Sequence, residues 1–107
     1  MGNIYRDLTV DPDSPGALNF TAADAAFKLV SDAGFSPYIR LGNSGNAEGM
    51  HHWGSPNTTA QLPNIVKAMV KIVARYTDTS RWAYPAQYIE IWNEPNQPGS
   101  WDPQGPG

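Results

Sequence analysis

Apolar residues recur along the chain with two different periods, and each change of period marks a new element. Between Thr21 and Gly34 the residues Ala23, Ala26, Phe27 and Val30 share one face at three- and four-residue spacing, which predicts a helix. Thr21 with Asp24 three residues later has the form of a capping box with Asp in place of Glu, and Gly34 supplies the stop. Pro37 to Gly42 changes to a short run of alternating character. It reads as a strand with Ile39 and Leu41 on one face and Tyr38 and Arg40 on the other. A second helical stripe, Leu62, Ile65, Val66, Met69, Ile72, Val73 and Tyr76, follows, with Thr58 or Thr59 as its cap and Pro63 near its start. After a turn from Asp78 to Pro85, the run Tyr88-Ile89-Glu90-Ile91-Trp92 alternates again, with the isoleucines on one face. The order helix, strand, helix, strand predicts an α/β fold with a parallel sheet. Trp82 and Tyr84, just ahead of the second strand, read as packing residues at the rim where the strands begin.

Two segments fall outside these periods. Asp11 to Gly16 (DPDSPG) is a turn-rich loop. The stretch after Gly42, rich in Gly, Asn and Ser and carrying Glu48, His51, His52 and Trp53, is longer than a simple connection needs, as functional loops often are. Composition narrows the classes. The 107 residues carry 7 Lys+Arg against 10 Asp+Glu, a net charge of -3, which excludes a basic nucleic-acid surface as the main theme. No apolar stretch approaches the roughly 20 residues of a membrane helix, since Lys28, Lys67 and Lys71 interrupt the longest ones. With no cysteine, thiolate metal sites and disulfide frameworks are excluded. His51 and His52 lack a third ligand at a familiar spacing, so no metal and no cofactor is expected.

The chemistry concentrates where the second strand ends, at Trp92-Asn93-Glu94-Pro95-Asn96. Period-two alternation puts Glu90, Trp92 and Glu94 on the face opposite the isoleucines, and Pro95 ends the ladder by removing a donor. Glu94 then stands at the carboxyl end of a parallel strand, where such folds build their active sites. A carboxyl group beside Trp92 would be partly desolvated and stay protonated near neutrality, as a general acid requires. The bland alternative is a solvated loop carboxylate.

The segment Tyr88-Ile89-Glu90-Ile91-Trp92-Asn93-Glu94-Pro95-Asn96 resembles the acid/base segment at the end of the fourth barrel strand in the retaining clan A glycosidases, and in particular glycoside hydrolase family 39, the β-xylosidase-related enzymes. Asn19-Phe20, the first helix, Gly34, the Pro37 to Leu41 strand and Trp53 are also similar to that family's region between the second and fourth strands. The resemblance implies a fragment of a TIM (β/α)8 barrel, with residues 1–107 as a partial catalytic domain covering approximately the second to fourth strands. It implies that Glu94 is the general acid/base of a double displacement and that Asn93 hydrogen-bonds the sugar hydroxyl next to the anomeric carbon. The nucleophile would be a second Glu on a later strand, so the rest of the barrel is needed and the chain alone should not turn over. An oligo- or polysaccharide substrate and an extracellular or periplasmic location follow as expectations.

In that barrel, Arg40 and Glu90 share the inward face of neighbouring strands, and an ion pair between them is expected, because an inward carboxylate needs a partner. His51 and His52 are candidates to line the sugar site or plain loop residues, at even odds. Trp53 and Trp101 are candidates to stack on sugar C–H faces, or else caps on the core. Asp7 is a weaker candidate, closing an earlier strand toward the site. A non-catalytic carbohydrate-binding protein derived from a barrel is the alternative to an enzyme.

Overall fold

The computed structural model describes residues 4–41 and 61–91. Among them the order is α1 (Thr21–Asp32), β1 (Ile39–Leu41), α2 (Leu62–Tyr76) and β2 (Ile89–Ile91). The strands pair in parallel, with Ile39 opposite Ile89, Arg40 opposite Glu90 and Leu41 opposite Ile91. Both the alternation of helix and strand and the parallel sense thus agree with the periodicity of the sequence.

The start of α1 departs from the expected capping box. Phe20 is the cap residue and Thr21 the first helical one, so the Thr21 hydroxyl does not cap. Asn19 acts instead, its Oδ1 accepting the Thr21 N–H at 3.0 Å. Asp24 is drawn away by partners on α2, described below. The stop at Gly34 is as expected. Gly34 has φ +92°, its N–H bonds to the Ser31 carbonyl, and the Phe35 N–H bonds to the Val30 carbonyl. Those two bonds make a Schellman motif, which needs the left-handed conformation that glycine adopts without a Cβ penalty.

The same phase error affects both helices in part. On α2, Ile65, Ala68, Ile72 and Tyr76 are buried, whereas Val66 is exposed. The burial-carrying stripe runs i, i+3, i+7, i+11 through Ala68, a small residue whose closeness to Tyr5 and Leu8 was hidden by its size. On α1, Phe27 carries the burial and Val30 lies open, while Ser31 is fully buried. The Ser31 hydroxyl donates to the Tyr84 carbonyl at 3.0 Å and accepts the Tyr84 N–H at 2.7 Å. A buried hydroxyl with both functions satisfied costs little and pins the segment before β2 onto α1. The cap of α2 also moves: Gln61 is the cap residue, with Pro63 in the first turn, and Thr58 and Thr59 lie outside the described residues.

The core forms where α1, α2 and β1 meet. Ile4, Phe27, Leu41, Ile72, Tyr76, Trp82 and Ala86 make one buried cluster, with Ile39 packed against it. Three of its rings are in mutual contact: Phe27 lies 4.7 Å from Tyr76 and 4.6 Å from Trp82, and Tyr76 stacks on Trp82. The Trp82 indole N–H donates to the Arg75 carbonyl, one of the last of α2, so the ring both fills space and satisfies a helix end. Trp82 is therefore a packing residue as expected. Tyr84 is not: its backbone holds Ser31, but its ring is exposed.

On the sheet, Ile39 and Leu41 meet the helices, but Ile89 and Ile91 on the same side are 39% and 74% accessible. Among the described residues α2 packs on β1.

Candidate active site

Direction decides which end of the sheet is which. Tyr76 closes α2, and its carbonyl accepts the Ala86 N–H at 2.8 Å, three residues before β2 begins. Gly34 likewise lies shortly before β1. Helix carboxyl ends therefore sit at the strand starts, and the amino end of α2 lies toward the strand carboxyl ends. Leu8, in the loop preceding α1, belongs to that second end, because its carbonyl accepts a bond from Asn64 in the first turn of α2.

The face opposite the isoleucines carries one expected contact. Arg40 Nε donates to Glu90 Oε2 at 3.0 Å, across the register that pairs the two residues. Both side chains are about two-fifths accessible, at 39% and 40%. At that exposure solvent screens the pair, and it adds little to stability. Glu90 holds the Arg40 guanidinium charged, raising its pKa further above an already basic value. Tyr38 and Tyr88, two residues before Arg40 and Glu90 and just ahead of their strands, are exposed.

Of the candidates read from sequence, Asn93, Glu94, His51, His52, Trp53 and Trp101 lie outside the described residues. Asp7 is described, and it closes no strand: Tyr5 makes a single antiparallel bridge with Leu18, and Asp7 Oδ1 accepts the Thr9 N–H at 2.9 Å and the Thr9 hydroxyl at 2.6 Å. It belongs to a turn in the loop preceding α1.

Two electrostatic clusters escaped the sequence reading because their partners are remote. Asp24 on α1 accepts bonds from Arg75 Nε at 2.8 Å, from a second guanidinium nitrogen, and from the Tyr76 hydroxyl at 3.0 Å. The guanidinium also lies over the Phe20 ring, 4.5 Å from its centre. Arg75 chiefly, with Tyr76 adding, holds the Asp24 carboxyl below the ordinary range, and burial with the Asp24 bond pushes the Tyr76 phenol up. On the loop side, Lys67 bridges Asp11 at 2.9 Å and Asp13 at 3.0 Å, and Lys71 reaches Asp13 at 2.6 Å. Neither cluster has the make-up of a metal site: among the described residues no three His, Cys, Asp or Glu groups gather to hold an ion. Both clamp helices and loop together.

The Asp24 cluster has a pH signature. Its folded pKa lies below the unfolded one, so its contribution is complete above the unfolded value of about 3.9 and fades as pH falls through the folded value. Asp24→Asn is expected to lower stability by about 1 to 3 kcal/mol at pH 7. Urea titrations at pH 7 and pH 3 should show wild type and variant converging at the lower pH. A pH-independent gap would assign the loss to geometry instead of charge.

No helix among the described residues is long and apolar enough to cross a membrane. Comparison with known proteins adds no identification: no family model matches the chain, and no solved structure matches it.

Proposed function

We propose that the chain is the acid/base portion of a retaining glycoside hydrolase, a partial (β/α)8 catalytic domain acting on oligo- or polysaccharide. The observation that carries this reading is the parallel, in-register pairing of β1 and β2, with Arg40 beside Glu90 four residues before Glu94. Parallel strands flanked by helices gather the reacting groups at their carboxyl ends. In this reading Glu94 protonates the glycosidic oxygen as the bond to the sugar breaks, then takes a proton from water in the second step. Asn93 binds the hydroxyl beside the anomeric carbon. Arg40 and Glu90 neutralise one another below that site, so that neither adds a net charge near the acid. In this reading the remaining strands and the nucleophile come from the rest of the barrel.

The test is stereochemical. A polypeptide completing the barrel, given a β-glycoside and followed by proton NMR, is expected to release the β anomer first. Initial release of the α anomer, or no hydrolysis of any glycoside, would overturn the reading.

A further inference from the structure

The loop before α1 holds an open cleft of about 390 Å3, within the roughly 300 to 1,000 Å3 of small-molecule sites. Ile4, Val10 and Ala17 supply apolar wall, and Arg6, Asp7 and Asn19 supply polar groups. Leu8, next to Asp7 in this loop, accepts a bond from Asn64 on the first turn of α2, toward the strand carboxyl end. Each polar residue has capacity in hand. Both bonds from Thr9 fall on Oδ1 of Asp7, and among the described residues Oδ2 takes none. Asn19 uses Oδ1 on the Thr21 N–H, which leaves its amide NH2 as a donor. Arg6 is exposed.

We propose that this cleft is a sugar subsite, in which Asp7 Oδ2 accepts from one hydroxyl of a neutral pyranose while Arg6 and Asn19 donate to its neighbours. The chemistry of the cleft selects the class. An acceptor and two donors beside apolar wall match a ring that offers hydroxyls at its rim and C–H groups on its face. An anion would meet the Asp7 carboxylate, a cation would meet Arg6, and a wholly apolar ligand would leave three polar groups desolvated. The bonds from Thr9 hold Asp7 below the ordinary carboxylate range, so it accepts throughout the neutral region. The choice of sugar among polyhydroxylated ligands rests on the glycosidase reading.

Methyl β-D-xylopyranoside titrated into the 15N-labelled chain is expected to move the backbone amide signals of Arg6, Asp7 and Asn19 to saturation. Asp7→Ala should weaken that binding about tenfold or more, the worth of one hydrogen bond to a charged group. Thr9→Ala, which loosens the turn but keeps Oδ2, should leave it nearly unchanged. An equal loss in Thr9→Ala would assign the effect to the turn and overturn direct ligation. Movement of these signals by sodium acetate but not by the glycoside, or by neither, would overturn the proposal as well. The two readings fail separately: sugar binding at Asp7 without Glu94-dependent hydrolysis sinks only the acid/base role, and hydrolysis without shifts at Asp7 sinks only the subsite.

Discussion

Replacing Trp82 by alanine is expected to remove about 3 to 5 kcal/mol of folding stability. The ring packs against both Phe27 and Tyr76, with centroids 4.6 Å and 5.6 Å away, and is nearly buried. Truncation opens a void bounded by two rigid aromatics, which collapse into it poorly, so the lost transfer energy and the cavity cost add. It also strips the Arg75 carbonyl of its donor at the end of α2. Domains of this size hold roughly 5 to 15 kcal/mol in all, so one side chain removes a large share. Urea unfolding followed by far-UV circular dichroism measures the loss. Trp82→Phe should cost less, because it keeps the stacking surface and loses the N–H bond. A Trp82→Ala loss below about 1 kcal/mol would show that the three-ring cluster is not the centre of the core.

Local signals were readable and remote ones were not. The Gly34 stop, the strand alternation at Ile39 and Leu41, and the stripe through Ile65, Ile72 and Tyr76 depend on residues a few positions apart, and each stands in the structure. Arg40 and Glu90 were paired across 50 positions only because strand order and alternation together fix one register. Asp24 shows the opposite case. Its spacing from Thr21 suits a cap, yet a bidentate guanidinium and a phenol 51 and 52 positions away compete for it and win. Two charge-assisted bonds outweigh one cap, and nothing in the local sequence announces them. Val66 stands in the predicted stripe and Ala68 does not for a related reason: apolar character marks a face only coarsely, and the tight approach of Tyr5 and Leu8 to α2 favours the small residue. The polar groups of the Asp7 cleft are spread through a loop with no period, so only the folded turn brings Arg6, Asp7 and Asn19 to one wall. The candidate acid rests on its motif, Asn93-Glu94-Pro95 following an alternating strand, and lies outside the described residues.

Glu94→Gln in the polypeptide that completes the barrel is expected to cost about 10²- to 10⁴-fold in the hydrolysis of unactivated glycosides, the usual worth of a positioned general acid. The amide keeps the size and most hydrogen bonds of the carboxyl group but has no proton to give to the leaving oxygen. Binding should therefore persist while the bond-breaking step slows. Aryl glycosides whose leaving groups are already weak bases need little protonation, so their first step should be far less affected. Their second step still needs the base that activates water, and a glycosyl-enzyme intermediate should accumulate. The most direct measurement is the ratio of wild-type to Glu94→Gln kcat/KM for an alkyl glycoside and for its nitrophenyl counterpart. The acid/base role requires a ratio of about 10² or more for the alkyl substrate and a much smaller one for the nitrophenyl substrate. Equal ratios for the two, or unchanged turnover of the alkyl glycoside, would contradict it.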